Sequence, residues 1–295
     1  MRKTIIFIWL GSIVIAIGAV SCEEKLLDQE HYEKIIYLKS DENNIFTYTH
    51  KMNDSISTGF LTLGSGGSMP LDEDVRVTLE IDTSILNSYN YRNYGLEYSK
   101  HVKLVDSNLY VLPSFQIILR KGESAATTFF PIEIDANELS PDTTYMIPFR
   151  IVSASGHEVN PVKSFVLYQP ELANVYSSPA SRFYKMKGSR QREGAGSSNI
   201  TATKSIVPLA SNRVRMFPEN LASSTVWEDI RDKTIVLIIN DDNTVRVKPF
   251  RDIQIDDADE CYYDPELQTF NLSYRYKLPT QSDWVQVVEI LTRVE

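Results

Sequence analysis

Asp74–Asp82 reads DVRVTLEID, and within it Val75, Val77, Leu79 and Ile81 alternate with Arg76, Thr78 and Glu80. A period of two sends one set of side chains to each face of an extended chain, so this stretch predicts a half-buried β-strand. Comparable short runs lie outward from it at Ile35–Leu38, Thr58–Leu63, Phe115–Leu119, Thr127–Ile134, Tyr145–Val152 and Lys163–Tyr168. Turn-forming residues separate them: Gly64-Ser65-Gly66-Gly67, Arg120-Lys121-Gly122, Ser140-Pro141-Asp142 and Ala154-Ser155-Gly156. Many short strands divided by such turns predict a sandwich with no long amphipathic helix. Asp82-Thr83-Ser84 before Ile85 and Leu86 predicts a single capped helical turn.

Beyond Gln169-Pro170 a second strand-rich block begins, with runs at Thr203–Pro208, Arg213–Phe217, Thr234–Ile239, Thr244–Pro249, Thr269–Leu278 and Trp284–Thr292. Asn240-Asp241-Asp242-Asn243 predicts a hairpin turn, because Asn and Asp tolerate positive φ. Glycines 188, 194 and 196 among Ser and Arg predict a loop over Gly188–Ser198. The expected fold is all-β: an N-terminal immunoglobulin-like antiparallel sandwich over 35–169, then an antiparallel, lipocalin-like barrel or a second sandwich over 170–295.

The start of the chain carries an address. Arg2 and Lys3 precede an apolar run from Ile5 to Ile17, which ends in the small residues before Cys22. This pattern predicts a cleaved secretory signal over 1–21. Ala19-Val20-Ser21-Cys22 resembles a lipobox, which implies diacylglycerol on Cys22, although Ala19 stands where Leu is commonest. The alternative is an uncleaved membrane anchor, for which the run is short. Residues 22–34 then form a lipidated tether. Its Glu23-Glu24 pair resembles the signal that sends Bacteroidetes lipoproteins to the outer face of the outer membrane, so the expected location is outer membrane, facing the exterior.

Loss of residues 1–21 removes Arg2 and Lys3 and leaves 28 basic against 39 acidic side chains, a formal charge of −11. A nucleic-acid partner, which demands a basic face, is therefore not expected. Membrane attachment must come from the lipid rather than from a basic patch. With Cys22 lipidated, Cys261 has no disulfide partner within the chain, so each block must stand on its own hydrophobic core.

Asp74–Asp82, Asn87-Ser88-Tyr89-Asn90, Leu112-Pro113, Ile118–Ser124 and Tyr145–Pro148 occur in an order that resembles a Bacteroidetes surface-lipoprotein family, the domain of unknown function of the 1735 type. The second block, through Asp241–Val247 (DDNTVRV) and Phe270–Tyr276 (FNLSYRY), resembles the 4361 type found behind it. The resemblance implies β-sandwich modules that accompany glycan-utilisation lipoproteins and precede glycoside hydrolase domains. It carries no catalytic residue over to this chain.

The residues themselves offer little catalysis. His31, His50, His101 and His157 share no helical spacing, and HExxH, CxxC and GxSxG are absent from the sequence. The acidic cluster Asp256, Asp257, Asp259 would suit calcium better than glycoside hydrolysis, since hard cations take several oxygens from one loop whereas glycosidase acids face each other across a cleft. It lacks the central glycine of regular calcium loops, and a solvated acidic turn is the competing account; no other cofactor is expected. Aromatics are the better candidates, because sugar rings stack apolar C–H faces on Tyr and Trp. Tyr89, Tyr91, Tyr94 and Tyr98 lie in a polar, Asn-rich segment, and Trp227 lies in an expected loop. Each could instead pack on its own sheet. The expected protein is a non-catalytic surface lipoprotein that binds polysaccharide or a partner in a glycan-uptake assembly. The alternative is a structural or adhesin-like spacer without sugar affinity.

Overall fold

The computed structural model describes residues 33–53, 56–122, 128–256 and 260–294. Cys22, Glu23, Glu24, the expected signal peptide, Asp257 and Asp259 lie outside the described residues. Among the described residues no helix is long and apolar enough to cross a membrane.

The molecule is nearly all β, in two domains. The first contains β1 (Ile36–Leu38), β2 (Ile45–Lys51), β3 (Ser57–Ser65), β4 (Val75–Ile81), β5 (Lys103–Leu104), β6 (Tyr110–Val111), β7 (Gln116–Leu119), β8 (Thr128–Ile134), β9 (Tyr145–Ala154) and β10 (Phe165–Ala173). They form two sheets, ordered β1-β3-β8-β6 and β2-β10-β9-β4-β7, with β5 on β9. Most pairs are antiparallel, while Leu167–Ala173 of β10 runs parallel to β2 and β5 runs parallel to β9. In β4 the expected alternation holds: Val75, Val77 and Leu79 are buried, and Arg76 and Glu80 are exposed. They meet Leu61, Phe130, Phe149 and Tyr168 in the core between the sheets.

Several elements differ from the sequence expectation, among them a helix at Trp227–Lys233 where a loop is expected. The single helical turn is a three-turn helix, α1 (Thr83–Tyr94). Asp82 caps it, accepting from the Ser84 backbone N–H at 3.0 Å, and Gly95 closes it at φ 55°, where a side chain would be strained. The buried face is Ile85, Leu86 and Asn90. An Asn at a core position interrupts the apolar stripe by which a helix is recognised. Strand β2 likewise carries no clear apolar alternation, since its buried position is His50.

A further difference in the second domain concerns a hairpin. There β11 (Phe183–Arg192) and β12 (Ser197–Ser205) form a long hairpin where a loop over Gly188–Ser198 is expected. The glycines serve other ends. Gly194, at φ 75°, belongs to the turn, whereas Gly188 lets two strands approach: a Cβ there would sit 2.2 Å from the Val288 carbonyl oxygen. Gly188→Ala should therefore push β11 from its neighbour and cost about 1–3 kcal/mol, measurable as a lowered urea midpoint.

The remaining strands are β13 (Val207–Ala210), β14 (Arg213–Met216), β15 (Ile235–Ile239), β16 (Val245–Pro249), β17 (Gln254–Asp256), β18 (Tyr262–Asp264), β19 (Thr269–Lys277) and β20 (Val285–Arg293), with helix α2 (Trp227–Lys233) between β14 and β15. One sheet runs β12-β11-β20-β19-β17 with β18 also on β19, and the other β13-β14-β15-β16. They curl around one core that includes Tyr184, Leu237, Phe270 and Tyr274. The Asn240–Asn243 hairpin forms as expected, with Asn243 at φ 65°. Strand β10 continues through Pro170 to Ala173, so the chain crosses between domains just beyond it.

Candidate functional site

The predicted tyrosines fall on and just after α1. Tyr89 and Tyr94 turn toward the first domain and pack on a small core of Ile85, Leu86, Val102, Met146 and Leu167. Tyr91 lies on the opposite face of the helix and is 70% exposed. Tyr98 opens a short 3-10 turn and is 71% exposed. Four rings stand in sequence along this surface. Tyr89 meets Tyr94 at 6.5 Å between centroids, Tyr94 meets His101 at 6.3 Å, and His101 meets Tyr98 at 5.0 Å. The structure thus brings three of the four tyrosines together, adds His101, and leaves Tyr91 out.

Tyr89 also lines a groove of about 350 Å³ between α1, the loop before β2 and the start of β10. Its floor is Tyr89, Ile85, Phe165 and Leu167, and its rim includes Asn43, Ser88, Arg92 and Arg150. The rim is held in place by the backbone. The Asp41 carboxylate accepts from the Asn43 N–H at 2.9 Å and the Ile45 N–H at 2.7 Å, which shapes the loop. Arg150 donates its Nε–H to Asp82 at 2.7 Å, and its guanidinium lies over the Phe165 ring at 5.9 Å. Burial, with Tyr94 adding to it, raises the Tyr89 phenol above its ordinary pKa. An apolar floor with convergent polar groups at the rim is the usual form of a small-ligand site.

Trp227 belongs to the other domain, where it begins α2 and is 47% exposed. It stands edge-on to Phe250 at 6.3 Å, and Phe250 in turn lies beneath the Arg215 guanidinium at 4.8 Å. Arg215 clamps the domains, donating NH1 to Asp142 Oδ2 at 2.6 Å and NH2 to Oδ1 at 2.5 Å. Beside this pair runs an interdomain cleft of about 810 Å³ lined by Thr143, Thr144, Arg182, Ser205 and Phe217 among others. Its aromatic content is lower than that of the α1 groove.

Asp256, the one described member of the acidic trio, pairs with Arg275 at 3.1 Å, and no group of three metal-ligating side chains occurs among the described residues. A buried gathering of ionisable groups that no sequence pattern signals lies inside the second domain. Lys204 reaches Glu289 at 3.1 Å, Tyr274 donates to the same carboxylate at 2.7 Å, and Arg190 meets Glu219 at 3.3 Å nearby. Burial pushes the Glu289 carboxyl up and the Lys204 ammonium down, and their mutual attraction opposes both shifts. Glu289 is 0% and Glu219 1% exposed, so neither offers a surface to substrate. The cluster ties strands together. No sequence signal joins Lys204 to Glu289, because each sits at an inward position among otherwise ordinary strand residues.

Comparison with known proteins follows the same division into two. A family model for an N-terminal domain matches residues 32–158, and one for a C-terminal domain matches residues 164–292. No curated protein matches the chain. A Bacteroides ovatus protein of unknown function superposes with a TM-score of 0.65 at 13% identity, over 88% of this chain and 95% of the other. A multidomain protein including DUF1735 from the same species gives 0.62 at 13% identity, over 88% and 95%. An auxiliary nutrient binding protein from Bacteroides thetaiotaomicron gives 0.60 at 13% identity, over 88% and 94%. At such identities these likenesses establish the fold alone. The paired domain models, covering most of the chain in order, show that it belongs to the two-domain family they describe.

Proposed function

We propose that the chain is a non-catalytic lipoprotein, anchored through Cys22 at the outer membrane and facing the exterior, that holds a glycan in the groove beside α1. The observation that carries this is the pairing of Tyr89 and Phe165 on an apolar floor with Asn43, Ser88, Arg92 and Arg150 around it. A pyranose has the same division, with C–H faces for the rings and hydroxyls for the rim. The acidic pair Glu23-Glu24 supports the address, and a fold shared with a nutrient-binding protein supports the class.

A polysaccharide array probed with the full-length chain in detergent tests this. Binding to at least one glycan is expected, and Tyr89→Ala should weaken it about tenfold or more, since one lost stacking contact is worth that order. An array without any signal would sink the proposal. A second reading, a surface spacer that meets protein neighbours, draws support from the exposed edge-on pair Phe60 and Phe129 on the outer side of the first sandwich. Pull-down from outer membranes with Phe129→Ser as control separates the two.

A further inference from the structure

Tyr89 lines the groove and also begins the series of ring contacts. From it the rings of Tyr94, His101 and Tyr98 follow at centroid steps of 6.5, 6.3 and 5.0 Å. We propose that these rings extend the groove into a row of stacking subsites, so that the ligand is a linear oligosaccharide of several units rather than a single sugar. The proposal rests on the glycan reading of the groove and deepens it.

Two observations support a built platform. The first is rigidity. The Asn90 side chain donates to the Val102 carbonyl at 2.9 Å and accepts from the Val102 N–H at 2.8 Å, pinning the segment after Tyr98 to the helix. His101 is fixed by a contact from Nε2 to the Gly95 carbonyl at 3.0 Å, and Lys100 pairs with Glu97 at 2.6 Å beside it. Rings held in advance lose little conformational freedom when a ligand arrives. The second is the combination of backing and exposure. Tyr89 and Tyr94 lean on the small core of α1 with one side, while Tyr98 at the outer end is 71% exposed. Tyr98 is thus the exposed end of a row whose other three rings, Tyr89, Tyr94 and His101, are half-buried.

Chemistry favours a sugar chain as the occupant. Each ring offers a π face together with a polar tip, the Tyr hydroxyls and the imidazole, which matches the repeating C–H faces and hydroxyls of linked pyranoses. Successive stacking contacts act as linked sites, so affinity should climb with chain length. A purely apolar partner would leave those polar tips without hydrogen bonds.

The test is calorimetry on the full-length chain in detergent with monosaccharides, disaccharides and hexasaccharides from cellulose, mannan, xylan and chitin. For the sugar type that binds, the hexasaccharide should bind at least about tenfold more tightly than the monosaccharide. Tyr98→Ala should remove most of that gain and leave monosaccharide affinity unchanged. Tyr91→Ala, an equally exposed tyrosine outside the row, should change neither. Binding that is independent of length, or equal loss from Tyr98→Ala and Tyr91→Ala, overturns the row of subsites and leaves the groove standing. Failure of every length and sugar type overturns the glycan reading itself and the row with it.

Discussion

Glu289→Ala is expected to destabilise the second domain by about 3–5 kcal/mol, the cost of stranding a buried charge. The carboxylate is fully buried and holds both Lys204 at 3.1 Å and the Tyr274 hydroxyl at 2.7 Å. Its removal leaves the Lys204 ammonium, 3% exposed, without its main compensation. The loss is expected as an earlier urea transition, followed by circular dichroism. The double change Lys204→Met with Glu289→Leu should recover much of the stability, because deleting both charges removes the desolvation cost along with the attraction. A single-variant loss under about 1 kcal/mol would mean that water reaches the pair and that the core does not depend on it.

Acid should weaken the first domain through His50. This side chain is 0% exposed, its Nε2 lies 2.6 Å from the Tyr168 hydroxyl, and burial lowers its pKa from 6.5 to about 4, partly offset by the Ser57 carbonyl. The folded state thus favours the neutral ring. The associated stability is complete above the unfolded pKa of 6.5, falls as the pH drops from there, and is gone below about 4. Its full size is about 3 kcal/mol, from the linkage between a pKa shift and free energy. Carboxylates titrate in the lower part of the same window, so the diagnostic quantity is the difference between the parent and His50→Gln. That variant should show a flatter decline between pH 6.5 and pH 4, measured by urea midpoints at several pH values. Equal slopes would show that the imidazole ionises freely in the fold. Gly59 adds a steric reason for this environment, since a Cβ there would stand 2.1 Å from the Tyr168 hydroxyl.

Locally encoded features were legible in the sequence. The alternation from Val75 to Ile81 predicts both the strand and its buried face, and Asn240–Asn243 predicts its hairpin, because period and turn chemistry act over a few residues. Helix α1 was less legible because Asn90 occupies a buried position and finds its partner at Val102, twelve residues away. The hairpin of β11 and β12 was hidden for a related reason. Its Gly, Ser and Arg content resembles a loop, and only the close approach to Val288 shows what Gly188 is for.

The candidate site divides along the same line. Composition and the Asn-rich setting singled out Tyr89, Tyr91, Tyr94 and Tyr98 as a group. The helical rotation of α1 then separated Tyr91 from Tyr89, and the return of the chain after Gly95 brought in His101. Phe165 and Arg150 reach the groove from β10 and β9 through sheet pairing. The sequence by itself determined an all-β chain of two blocks, with aromatics clustered in one polar segment, since these follow from residue type and short-range spacing. Tertiary structure alone decided which aromatics share a surface, which polar residues are buried, and that Lys204 meets Glu289. Those outcomes depend on contacts between residues far apart in the chain, where burial removes water and each polar group must find its partner inside the protein.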